Sequence, residues 1–296
     1  MTKRLNFIFE TFKNDIEDIF LLQPLIKRST KEEIKTLNKI EEFDRIHPRQ
    51  DPDTKSYYNT WFRSIVYEKE KVLGQRILTT SERVDLAIMH KNKQYLWLLV
   101  EAYERFSQYL KRVYLYGEPF VDNLWLSKDY PSTFVENSND PKDRQLSIHL
   151  DKKPGVTIHI LKRFRKAFPE IQKYDENNIL NINLWLAFVL IERIRHQVVH
   201  CGGIIKDNKG FLEGVVSKAG LSNNGNIKED HRKLIDLFMD SDNTRGQILL
   251  LDIPLKNVGG LVVEANIFRV FLSILPSYAE LLFIALRDYE RSTKRG

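Results

Sequence analysis

Glu192, Arg193, Arg195, His196 and His200 put one carboxylate, two guanidinium groups and two imidazoles into nine consecutive positions. Histidine changes charge near neutral pH, so it can take or give a proton under ordinary conditions. Arginine stays charged and can fork two oxygens of a phosphate. A base, an acid and a fixed cation are what cleavage of a ribose phosphodiester needs. The 2′-hydroxyl gives up a proton, the pentacoordinate phosphorane is stabilised, and the 5′-oxygen is protonated as it leaves. In that scheme His200 is base or acid, Arg195 is the clamp, and His196 orients the phosphate or shares the proton transfers. Arg193 holds the backbone and Glu192 fixes one arginine. No metal or other cofactor enters the scheme.

The stretch just before is strongly apolar: Leu184, Trp185, Leu186, Phe188, Val189 and Leu190. At 100° per residue, the five ionisable groups share one side of the helix, while Ile191, Ile194 and Val198 gather toward the other. Charging one face of a core helix is costly unless that face meets a cleft, a partner or water. Gly202-Gly203 then stops the helix. An Arg and a His at this spacing recur at Arg83/His90, Arg144/His149 and Arg193/His200. Only the Arg195/His200 pair combines the apolar approach, a polar residue directly after the arginine and the Gly-Gly stop.

In this context Arg195-His196-x-x-x-His200 resembles the Arg-x(4–6)-His motif of the HEPN superfamily. Val100-Glu-Ala-Tyr-Glu-Arg-Phe106 looks like the family's first helix, and the likeness covers roughly residues 85–290. It implies a helical bundle, often dimeric, and a metal-independent endoribonuclease of toxin–antitoxin or abortive-infection type. Composite sites in such proteins place two motif helices side by side, so a homodimer is implied here, as is an antitoxin or regulatory protein partner. His196 departs from the family, where many members carry Asn or Asp.

Other readings of the same residues stand beside this one. His200 can serve the helix C-terminal dipole, and Arg195 can pair with Glu192 at i, i+3. Glu192, His196 and His200 can form a metal face. Cys201 can act as a thiolate. At the level of the whole protein, the rivals are a non-catalytic RNA- or nucleotide-binding module and a helical protein-interaction adaptor.

The elements that position these residues read as helices almost throughout. Leu5, Ile8, Phe12, Ile16 and Ile19 predict one helix ending at Gln23-Pro24, and Thr30 with Glu33 has capping-box spacing for a second. Pro48 and Pro52 bracket a linker. Tyr58, Trp61, Phe62 and Ile65 predict a third helix. Thr79 with Glu82 opens a stretch leading into a long helix over 94–116. Residues 117–151, rich in Pro, Asn, Asp and Ser, read as an irregular insertion, a lid near the His200 end. Helices follow over 157–174 and 182–200, with a Gly- and Asn-rich connection at 202–227. A short helix over 231–239, a β-like run at 247–251 and a terminal helix over 264–291, kinked or split at Pro276, complete the chain. The expected fold is all-α, a helical bundle with little or no β structure. Residues 1–80 form an N-terminal helical region and 81–296 the HEPN-like domain.

Composition bounds the rest. The 296 residues are 42 % hydrophobic and 29 % charged, which supports a buried core and excludes wholesale disorder. A single cysteine excludes a disulfide framework and points to a reducing compartment. Glu10, Lys13 and Asp15 interrupt the N-terminal apolar run, so it is not a signal peptide. Between Arg269 and Glu280 lie ten residues, too few for a bilayer, and the expected location is the cytoplasm without membrane contact. Of the net charge of +6, much sits between Asp151 and Lys173, where Lys152, Lys153, Lys162, Arg163, Arg165, Lys166 and Lys173 oppose two acids. With Phe164 and Phe168 interleaved, Lys162, Arg163, Arg165 and Lys166 are the expected RNA-binding residues.

Overall fold

The computed structural model describes residues 2–47, 56–67, 69–131, 142–152, 155–179, 181–222, 227–239, 246–254 and 264–293. Among these the fold is mostly all-α, with two small antiparallel sheets. The helices are α1 (Thr2–Ile46), α2 (Thr80–Gly117), α3 (Lys142–Asp151), α4 (Val156–Ala167), α5 (Pro169–Glu176), α6 (Leu184–Cys201), α7 (Asn208–Ala219), α8 (Glu229–Asp236) and α9 (Ile267–Thr293). The strands are β1 (Ser56–Arg63), β2 (Glu70–Leu78), β3 (Asp252–Pro254) and β4 (Glu264–Asn266). The chain divides into two compact units, residues 21–95 and the remainder.

In the unit formed by residues 21–95, a hairpin stands where a helix is expected. β1 pairs antiparallel with β2, with a bulge between Thr60 and Trp61 where Leu73 of β2 is the extra residue. Tyr57, Tyr58, Trp61, Phe62, Val72 and Ile77 are of the aromatic and β-branched types that favour a pleated strand. The incidental 3–4 spacing of Tyr58, Trp61, Phe62 and Ile65 mimics a helix. Ser64 closes the turn by accepting from the backbone N–H of Val66 and Tyr67 at 3.3 and 3.2 Å. Thr79 caps α2 with the expected box: Glu82 accepts from the Thr79 N–H at 2.7 Å, and Thr79 Oγ1 accepts from the Glu82 N–H at 3.2 Å.

Gln23-Pro24 does not end α1, which holds Pro24 within one helix. A proline inside a helix forfeits one hydrogen bond and costs about 3 kcal/mol. The buried stripe of Leu5, Ile8, Phe12, Ile16 and Ile19 before it and Leu37 after it offsets that cost. Thr30 therefore sits inside α1, 9 % exposed, and is not a cap. The Pro48–Pro52 linker lies outside the described residues.

The larger unit is built around α6. Leu184 to Ile191 are buried in every direction around its axis, and Phe188 meets Tyr103, Phe106, Trp185 and Tyr278. α9 passes through Pro276 as one helix and buries Phe268, Phe271, Leu272, Leu275, Tyr278 and Leu282. By length and composition α9 is apolar enough to cross a membrane, and half of its most apolar window is buried within the chain. The expected helix over 157–174 is two, because Pro169 takes the first position of α5 and ends α4 at Phe168. The 202–227 connection holds α7, capped by Asp207, whose Oδ1 accepts from the Gly210 N–H at 3.0 Å.

The lid expectation is corrected for residues 118–131, while α3, at the end of that stretch, meets α2 through the Asp151–Lys111 pair. α2 runs antiparallel to α6: Leu96 packs at Gly203, Glu104 at Arg195, and Phe106 at Phe188. The segment after Gly117 packs at the other end of α2, where Trp125 stacks on Tyr114 and Phe120 meets Tyr116 and Tyr289. Twenty-one residues of helix separate Leu96 from Gly117, about 30 Å at 1.5 Å per residue. Residues 118–131 are therefore far from His200; residues 132–141 lie outside the described residues.

Candidate functional site

Asn183 starts α6 by accepting the Leu186 N–H at 2.8 Å. The far end is equally fixed. Gly202 takes the left-handed conformation, φ 64°, with no Cβ to oppose it. Gly203 donates to the Gln197 carbonyl at 3.0 Å and accepts from the Ile248 N–H at 3.0 Å, and Ile205 donates to the Gly246 carbonyl at 2.7 Å. The end of α6 that carries the ionisable residues is thus tied to residues 246–248. Ile194 and Val198 continue the buried stripe, while His196 and His200 stand exposed one turn apart.

Their rings lie 4.5 Å apart, inclined by 48°. His196 is held below the ordinary histidine range, first by desolvation and then by the neighbouring His200, Arg193 and Arg195 charges, with Glu192 opposing them. Its surroundings thus favour the uncharged imidazole, which can accept or donate a hydrogen bond.

Arg195 pairs with Glu104 of α2, a residue the sequence does not single out. Nε and Nη2 both donate to Glu104 Oε1, at 2.9 and 2.6 Å, and the guanidinium lies over the Tyr103 ring at 5.9 Å from its centroid. Burial, aided by Glu192, pushes the Tyr103 phenol above its usual range. Glu192, expected to fix an arginine, instead accepts from Lys218 of α7 at 2.5 Å. Its carboxylate is taken, and among the described residues Glu192, His196 and His200 form no three-ligand metal group.

Arg193 reaches across α7. Its Nη2 lies 3.0 Å from where a Cβ on Gly214 would stand, a close approach that the glycine leaves open, and its buried Nε has no hydrogen-bond partner. It stands between two clefts. One, of about 420 Å³, is lined by Tyr103, Glu104, Ser107, Thr157, Arg195 and His196 among others. The other, of about 320 Å³, is lined by Gln197, Cys201, Lys206 and Phe211 among others.

The four expected RNA-binding residues separate. Arg163, its side chain 11 % exposed, pairs with buried Asp129 at 3.3 Å. Burial pushes that carboxyl up, but the Leu126 N–H, His159 and Arg163 outweigh it and hold it below the usual range. Arg165 pairs with buried Asp175 at 2.5 Å and lies over the Trp185 ring at 4.5 Å. Lys162 and Lys166 alone of the four are exposed. Lys153 lies outside the described residues.

Sequence reasoning thus finds the α6 residues and misses Glu104, Lys218, Ser107 and Thr157. Glu104 and Lys218 are 91 and 26 positions from the residues they bind. The one local signal is that Glu104 flanks the buried stripe of Ala102, Tyr103 and Phe106. The arrangement offers a fixed cation, two adjacent imidazoles and a polar cleft beside them. No protein-family model, curated protein or solved structure matches this chain.

Proposed function

We propose that this chain is an endoribonuclease that cuts RNA by attack of the ribose 2′-hydroxyl, leaving a 2′,3′-cyclic phosphate and a 5′-hydroxyl. One observation carries the reading: at the capped, exposed end of α6, His196 lines the same cleft as a guanidinium anchored in place by a carboxylate, and its ring lies 4.5 Å from that of His200. Arg195 receives the non-bridging phosphate oxygens through the donors that Glu104 leaves free. One histidine takes the 2′-hydroxyl proton as the 2′-oxygen bonds to phosphorus. A second delivers a proton to the 5′-oxygen as its bond to phosphorus breaks. A homodimer placing two copies of Arg195 and His200 across a two-fold axis supplies both protonation states. With the HEPN resemblance, this points to a bacterial toxin or anti-phage effector controlled by a protein partner.

A second reading, RNA or nucleotide binding without cleavage, is favoured by the carboxylate of Glu104 already occupying Arg195. Incubation of the pure protein with mixed RNA in EDTA separates the two. Cleavage to cyclic phosphate ends, with DNA intact, is expected. Arg195→Ala and His200→Ala should each lower the rate about 10²-fold or more with the fold unchanged. A Mg²⁺ requirement, 5′-phosphate ends, or full activity in the His200→Ala protein overturns the proposal.

A further inference from the structure

The cleft beside Arg195 is larger than a single phosphate requires. At about 420 Å³ it falls in the range of small-molecule sites, roughly 300–1,000 Å³. α2 supplies Ser107 and Lys111 to it, the first turn of α4 supplies Thr157, and α7 supplies Lys218. Its floor is hydroxylic. Ser107 and Thr157, both buried, share a 2.8 Å hydrogen bond, and each hydroxyl keeps further capacity to donate or accept.

Its walls are cationic. Lys111, Arg193, Arg195 and Lys218 face Glu104 and Glu192, with Asp151 holding Lys111 from outside the cleft. The three other cations are ion-paired, whereas Arg193 has no ion pair among the described residues and its Nε lacks an acceptor. A guanidinium in that state beside a polar floor calls for an anion attached to a polar body.

We propose that this cleft seats one phosphorylated ribonucleoside, its phosphate on Arg193 and Lys218 and its sugar hydroxyls or base edge on Ser107 and Thr157. The inference rests on the ribonuclease reading and deepens it. A strand whose scissile phosphate lies on Arg195 and whose adjoining nucleoside enters this cleft meets Arg193 and Glu192, which line it beside Arg195. The cleft then reads the base beside the cut. A free mononucleotide offers the same chemistry, so the test has an arm for each source.

The first arm titrates the full-length protein with the four ribonucleoside 3′-monophosphates and with inorganic phosphate by calorimetry. At least one nucleotide should bind at least about tenfold more tightly than phosphate, because it adds hydrogen bonds that phosphate cannot make. Lys218→Ala, on an exposed side chain, should weaken nucleotide and phosphate alike by about tenfold. Ser107→Ala should weaken the nucleotide alone. The second arm maps the bases flanking the cuts in random-sequence RNA. A preference matching the tightest nucleotide identifies a substrate subsite; tight binding without such a match identifies a free-nucleotide site. Nucleotides no tighter than phosphate, or binding untouched by both variants, overturns the proposal. RNA cleavage without nucleotide binding removes the cleft and leaves the nuclease. Nucleotide binding without cleavage does the reverse.

Discussion

Arg195 donates from both Nε and Nη2 to one oxygen of Glu104, at 2.9 and 2.6 Å, joining the exposed end of α6 to the middle of α2. One carboxylate therefore fixes the plane of the guanidinium while neutralising part of its charge. Orientation depends on the acceptor oxygen, and neutralisation depends on the carboxylate charge, so substitution separates them.

Glu104→Gln keeps an acceptor and removes the charge. RNA should bind several-fold more tightly by KM, with kcat close to wild type. Glu104→Ala removes the acceptor, and kcat should fall about 10- to 100-fold, the worth of a hydrogen bond to a charged group. Equal kcat in the alanine protein and the wild type would show that Glu104 does not orient Arg195.

Why that pair escapes sequence reading, while its helix does not, follows from where each signal lies. α6 announces itself locally through Asn183, its unbroken apolar turns and Gly202. Glu104–Arg195 and Lys218–Glu192 are tertiary meetings between helices, and nothing within a turn of any partner encodes them. The basic stretch shows the reverse failure. Lys162 and Lys166 lie opposite buried Phe164 on α4, whereas Arg163 and Arg165 each lie one step of 100° from it. Long side chains in those flanking positions reach inward to Asp129 and Asp175. The hairpin is missed because Trp61, Phe62 and Ile65 satisfy helical spacing by accident while their types favour strands.

His196 should report its cationic neighbours. Desolvation comes first among the causes that lower its titration, followed by His200, Arg193 and Arg195. Arg193→Gln removes one of these charges, so the His196 midpoint should move up in pH, toward the ordinary histidine value. The ring proton signals of His196, followed by NMR through pH 5 to 8, the interval in which histidine titrates, read this directly. In an RNA cleavage assay the acidic limb of kcat/KM should move the same way. A midpoint unchanged or lower in the variant contradicts the geometry.

Asp175 predicts a pH-dependent stability unrelated to cleavage. Burial pushes its carboxyl up from 3.8 to about 6, against the Tyr278 hydroxyl and Arg165 that hold the charged form. Between those two values the native state binds a proton that the unfolded chain has released. Its contribution is therefore greatest below about pH 4 and falls as pH rises through about 6, by about 3 kcal/mol in all. Urea unfolding of wild type and Asp175→Asn at about pH 4.5, inside that window, and about pH 7, above it, isolates the contribution. The wild-type advantage over the variant should shrink at the higher pH; a growing advantage reverses the assignment.

Gly246 secures the end of α6. Its φ is 60°, and a Cβ there would lie 2.1 Å from the Ile205 carbonyl oxygen. Gly202 has a similar φ of 64° but open space around its missing Cβ. Gly202→Ala should therefore cost about 1–2 kcal/mol for the left-handed backbone alone. Gly246→Ala adds a backbone clash and should cost more, about 3 kcal/mol, measured by urea denaturation. Equal losses would mean that the 246–248 anchor yields freely.

The proposed two-fold site is open to a test that one protomer alone cannot satisfy. If the Arg195 of one protomer serves with the His200 of the other, and His196 supplies the second imidazole of each such site, Arg195→Ala and His200→Ala homodimers each lack one group in both sites. A mixed dimer brings the intact Arg195 of one chain to the intact His200 of the other and restores one site of two. Statistical remixing of equal amounts makes half the dimers mixed, so activity should return to roughly a quarter of the wild-type value for a two-fold dimer. Co-refolding the two proteins before the RNA assay, with light scattering to confirm the dimer, provides the measurement. If Arg195 and His200 of the same protomer serve together, each mixed dimer holds one broken pair of each kind and remixing restores nothing. An active monomer would remove the two-fold site altogether and leave both proton transfers to His196 and His200 of one chain, the pair 4.5 Å apart at the end of α6.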